Sequence, residues 1–109
     1  MNVLFDQGTP FPLRKYLTLH QVSTAYELGW QTLTNGDLLK QAELNGFEVL
    51  VTTDQNLKYQ QNLSSRVIAI VVLTSTSWPR LQKIVPEIVI AVGNSKSNGY
   101  VEITVPYDN

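Results

Sequence analysis

The chain contains no cysteine and only one histidine, His20, among its 109 residues. Disulfide staples and thiolate metal centres are therefore excluded. Any metal ion must be held by oxygen ligands or by that single imidazole. Charge is also scarce. Asp, Glu, Lys and Arg make up 16% of the sequence, and the formal net charge is −1. No global positive field advertises a nucleic-acid binder. The longest apolar run, Val67 to Leu73, falls far short of the roughly 20 residues that span a bilayer. The start, Met1-Asn2-Val3-Leu4-Phe5, meets Asp6 at once, too soon for the apolar region of a signal peptide. These readings lead us to expect a cytoplasmic protein with no membrane partner. A glycine-rich phosphate loop is missing as well.

What is present suffices for a core. Apolar residues make up 43% of the chain, which fits one globular domain over residues 1–109. We expect its core over 1–93 and a loop and terminal strand over 94–109. Apolar runs predict strands at Asn2 to Phe5, Val22 to Ala25, Glu48 to Thr52 and Val67 to Leu73. Alternation over Tyr100 to Val105 predicts a last, edge-type strand. Helical spacing places short helices over Pro12 to Leu19, Asp37 to Asn45 and Gln55 to Leu63. Asn35 is the expected cap of the second, and Gly46 its stop. A longer stripe from Leu81 to Val92 contains Pro86, which should kink or split it. Strands alternating with helices predict an α/β fold: a mostly parallel sheet flanked by helices in three layers, with the first, third and fourth strands adjacent.

In such sheets the loops after the strand carboxyl ends form the functional crevice. Asp6 and Asp54 both follow strands. Asp37 opens a helix, and Glu27 lies just beyond the second strand. Four converging carboxylates would repel one another and call for a cation. Oxygen-only ligation suits Mg²⁺ or Mn²⁺, ions that activate water for phosphodiester hydrolysis. Three of these acids also have a plain structural role open to them. Asp54 can cap the helix it precedes, Asp37 can complement a helix N-terminus, and Asp6 can brace the turn at Gly8. His20 lacks a ligating partner and reads as a turn residue. Neither Ser64-Ser65 nor Thr74 to Ser77 has a histidine base nearby. Trp30 and Trp78 read as core or partner-facing. Arg14, Lys15, Lys58 and Arg66 are candidate phosphate contacts, but a solvated helix face is the preferred reading of them.

Three blocks stand out together. The first is Leu4-Phe5-Asp6 followed by Pro10. The second is Glu27-Leu28-Gly29-Trp30 with Asn35-Gly36-Asp37-Leu38-Leu39. The third is Thr52-Thr53-Asp54-Gln55-Asn56-Leu57 with Gln60-Gln61-Asn62. Together they resemble the bacterial PIN-like domain family of unknown function, whose relatives include Mut7-C-type and toxin-type PIN domains. The resemblance covers nearly the whole chain and is weakest after Gly93. It implies a PIN-like Rossmannoid sheet and a Mg²⁺- or Mn²⁺-dependent ribonuclease, a hydrolase of single-stranded RNA. The implied metal ligands are Asp6, Asp54 and Asp37, with Glu27 a fourth candidate catalytic acid. Asn56, Lys58, Gln60 and Arg14 would meet the substrate. An antitoxin, another protein or a second copy in a homodimer would be the protein partner. Two positions depart from the family pattern. Gln7 stands where many members have Glu, and Asn56 where many have a second Asp. Both changes remove negative charge from the pocket. The alternative is therefore a PIN-like module that keeps the fold, lacks the chemistry and binds a protein. A receiver-like signalling domain would suit the early Asp6, but the Thr52-Thr53-Asp54-Gln55-Asn56 block is wrong for a phospho-acceptor strand end, and no lysine closely follows the Val67 to Leu73 strand.

Overall fold

A computed structural model describes residues 1–107. Five strands form one sheet: β1 (Asn2–Phe5), β2 (Gln21–Thr24), β3 (Val49–Thr52), β4 (Ala69–Leu73) and β5 (Tyr100–Ile103). Their order is β2-β1-β3-β4-β5, and every neighbouring pair is parallel. The helices are α1 (Asn35–Leu44), α2 (Leu57–Gln60), α3 (Trp78–Leu81) and α4 (Val85–Gly93), with 3-10 turns at Phe11–Tyr16 and Gln82–Ile84.

Alternating side chains along the strands divide the core in two. Val3, Phe5, Val49, Val51, Val71 and Leu73 face Leu13, Leu81, Ile88 and Val92 on one side. Leu4, Leu50, Ile70 and Val72 face Leu38, Leu39, Ala42 and Leu57 on the other. This makes three layers, with α3, α4 and the 3-10 turns on one face and α1 and α2 on the other. Every residue of β3 and β4 is buried. That explains their unbroken apolar runs, since a parallel strand covered on both faces has no solvent side to alternate toward.

The expected neighbours β1, β3 and β4 are adjacent, and strand bounds move by no more than two residues. The helices differ more. Pro12 to Leu19 is a six-residue 3-10 turn, Phe11–Tyr16, with Pro12 near its start. Thr34, not Asn35, caps α1: its hydroxyl accepts the Asp37 amide at 3.3 Å. Gly46 follows that helix with φ +80°, a conformation glycine adopts without steric cost. Gln55 to Leu63 shrinks to the single turn of α2, because Gln61 turns extended and Asn62 bonds the Ser64 amide at 3.1 Å. Asn and Ser side chains compete with the helix for backbone donors in this way. The Leu81 to Val92 stripe is split as expected, with Pro86 in the first turn of α4. The terminal strand lies at the sheet edge, and the last two residues of the 94–109 segment fall outside those described.

Helix α4 offers a test of this layering within one element. Ile88 is fully buried and Ile90 is 62% exposed. Ile88→Ala should lower unfolding stability by about 2–4 kcal/mol. Ile90→Ala should change it by less than about 1 kcal/mol. Urea unfolding of both variants checks this; equal losses would contradict the assigned faces.

Candidate functional site

Parallel pairing brings the carboxyl ends of β1 and β3 side by side, with Phe5 opposite Val51. The Asp6 amide donates to the Val51 carbonyl at 3.2 Å, so the first residue past β1 stays locked to β3. Its carboxylate turns inward. Oδ1 meets the Thr9 hydroxyl at 2.8 Å, and Oδ2 accepts the Thr52 hydroxyl. The backbone amides of Gly8 and Thr9 also donate to it. Thr9 and Thr52 are the buried polar residues among those described, and both sit on this carboxylate. A Cβ at Gly8 would collide with the Thr53 hydroxyl, so a side chain there would force Thr53 to shift.

Asp54 belongs to the same strand-end crevice. Its amide donates to Thr52 Oγ1 at 3.0 Å, and that same hydroxyl donates to Asp6. One side chain thus joins the Asp6 carboxylate to the Asp54 backbone. Asp54 Oδ1 accepts the Asn56 amide at 2.9 Å, forming an Asx turn that leads into α2. Oδ2 accepts Asn35 Nδ2 at 2.9 Å, and Asn35 Nδ2 also reaches Gln60 Oε1 at 3.1 Å. Asn35 therefore binds α1 to the β3–α2 loop rather than capping its own helix.

The other expected site residues have partners of their own or are exposed. Glu27 lines a cavity of about 510 Å³ together with Asp6, Thr9, Phe11 and Tyr26. Both its oxygens lie 2.9 Å from Arg14 Nη1. That guanidinium, with the Thr24 amide, holds the Glu27 carboxyl below the usual range. Asp37 is exposed in the first turn of α1. Lys58 pairs with Glu102 on β5 at 3.3 Å, two strands away from β3. Asn56 contributes its backbone amide to the Asp54 turn. Among the described residues no three His, Cys, Asp or Glu side chains gather within ligating reach. Thr9, Thr52 and Asn35, which fix the two acids, were not among the sequence candidates. An Asp with Thr three residues later and the Thr-Thr-Asp run were the available signals.

Burial outweighs these hydrogen bonds and raises the Asp6 pKa above its ordinary 3.8. Proton counting supports that direction. The Thr9 hydroxyl has one hydrogen but lies 2.8 Å from two acceptors, Asp6 Oδ1 and the Val51 carbonyl. A proton on Asp6 lets both contacts be hydrogen bonds. The folded chain therefore binds this proton more tightly than the unfolded chain. The stability so gained is complete below pH ~4 and is lost as pH rises through the raised pKa. Asp6→Asn, whose amide reproduces the protonated pattern, should be more stable than wild type at pH 8, with the difference shrinking toward pH 4. Urea midpoints across that range check it. A difference that grows toward low pH would overturn the assignment.

The chain matches no protein-family model, and neither a curated protein nor a solved structure matches it.

Proposed function

We propose that the chain is a PIN-like domain of the ribonuclease type. In this reading it binds one Mg²⁺ or Mn²⁺ at the β1/β3 crevice and hydrolyses phosphodiester bonds of single-stranded RNA. The observation that carries the reading is the link from Asp6 through Thr52 to Asp54. In the 2-1-3-4-5 strand order, successive connections leave β1 and β3 toward opposite sides. Open α/β sheets bind their ligands at such a switch point.

The donor set fits a hard cation. Mg²⁺ is commonly held by one or two carboxylates, keeping several waters and taking substrate phosphate oxygens. Asp6 and Asp54 would supply the carboxylates, with neutral oxygens from Thr52 and Asn35 beside them. When bound, such an ion makes a water more acidic and stabilises charge on the phosphodiester. Thr52 orients Asp6, and Asn35 orients Asp54. Asp37, whose carboxylate has no partner among the described residues, remains free to orient water. Gln60 keeps its Nε2 donors for a phosphate oxygen, and a neutral donor of that kind lets RNA approach an acidic crevice. The resemblance to toxin-type PIN domains adds an antitoxin as the expected protein partner.

A second reading has its own support. Thr9 and Thr52 enclose Asp6, and Arg14 neutralises Glu27. So little free negative charge suits a site that has kept its geometry as a scaffold for a protein partner.

Two measurements on one preparation separate the readings. With Mn²⁺ at tenfold excess over its dissociation constant, binding adds ~1.4 kcal/mol. That should raise the melting temperature by about 6 °C for a domain of this size. Single-stranded RNA should be cleaved at low salt, and Asp6→Asn and Asp54→Asn should each abolish both effects. Absence of cleavage, combined with capture of a partner that survives Asp6→Asn, would favour the second reading and end the first.

A further inference from the structure

Next to the crevice, at the carboxyl ends of β4 and β5, lies a second cavity of about 480 Å³. Gln55, the residue after Asp54, lines it, and its Nε2 approaches the Thr74 carbonyl at 3.4 Å. The cavity thus opens from the same strand-end face as the two acids. Arg80, Glu102, Thr104 and Tyr107 complete the part of its wall that matters here.

The wall carries one aromatic ring, Tyr107, and one cation, Arg80. The Arg80 guanidinium lies 4.4 Å from the Tyr107 ring centroid, and that ring is 78% exposed. No carboxylate among the described residues pairs with Arg80. Lys58, which is not part of this wall, lies 5.2 Å from the Tyr59 ring and 5.8 Å from the Tyr100 ring. Glu102 would repel a phosphate, but Lys58 neutralises it at 3.3 Å. An exposed aromatic ring beside a guanidinium with no carboxylate partner among the described residues, with neutral hydroxyl and amide groups at hand, has the chemistry that receives a nucleotide. The base stacks on the ring while the cation meets the phosphate.

The geometry points to this cavity as a binding subsite for a nucleotide of single-stranded RNA flanking the scissile phosphate, with Tyr107 as the stacking surface and Arg80 as the phosphate contact. The assignment rests on the RNA-directed reading above but does not need the site to be active. The sequence concealed it, because Arg80 and Tyr107 lie far apart in the chain.

Fluorescence anisotropy with a labelled short oligouridylate, at low salt with EDTA, tests it without catalysis. Tyr107→Ala should weaken binding about tenfold or more, and Tyr107→Phe should restore it. Arg80→Ala should weaken binding and reduce the slope of log affinity against log salt by about 0.7. Tyr107 is exposed, so an unchanged melting temperature should accompany its replacement. Oligonucleotide binding indifferent to Tyr107→Ala overturns the subsite, as does a wild-type chain that binds no oligonucleotide. A Tyr107-dependent partner protein captured without any oligonucleotide binding overturns it too. If Tyr107 governs binding yet RNA is never cleaved with Mn²⁺, the subsite stands and the nuclease reading falls. If RNA is cleaved while Tyr107→Ala binds normally, the subsite alone falls.

Discussion

The Thr52 hydroxyl stands between two segments that meet only because the sheet folds. It donates to the Asp6 carboxylate and accepts from the Asp54 amide. A buried hydroxyl with both functions used carries little desolvation penalty. The Asp6 carboxylate and the Asp54 backbone cannot drift apart without orphaning it. The turn at Gly8, the Asx turn into α2 and the Asn35 bridge to α1 all converge on the positions this contact sets. The proposed chemistry, whether active or vestigial, depends on that hydroxyl.

The contact exists because the sheet is parallel and covered on both faces. Parallel strands place all their carboxyl ends on one side, so every loop that follows a strand opens there. Apolar burial on the two faces fixes the register, since a slip of one residue would exchange the inward sets. Val3, Phe5, Val49 and Val51 would then trade faces with Leu4 and Leu50. Packing thereby aligns Phe5 with Val51, and that alignment brings Asp6 beside Thr52. The same arrangement places Gln55 and the Arg80–Tyr107 pair along one continuous edge with the acids.

The strands were legible because unbroken β-branched runs such as Val67 to Leu73 have few other uses. Asp6 and Asp54 were legible because each directly follows such a run. The limits came from side-chain choices that pattern does not encode. Thr34 rather than Asn35 caps α1, since Asn35 is drawn off by Asp54 and Gln60. Glu27 was expected as a catalytic acid, but Arg14 lies within 2.9 Å of it, a pairing across 13 positions with no sequence signal. Lys58, expected as a phosphate contact, pairs with Glu102 on β5, a partner the sequence does not announce. The threonines that hold Asp6 resembled ordinary strand and turn residues, and their role appeared only once burial and hydrogen bonding were known together.

The account centres on a cation held jointly by Asp6 and Asp54. Crystals grown with Mn²⁺ and measured for anomalous scattering address it directly. The account predicts a peak between the two strand ends, within ligating distance of both carboxylates, with Thr52 still bridging to the Asp54 amide. A crevice with no anomalous peak, in which Asp6 remains closed upon Thr9 and Thr52, would contradict it.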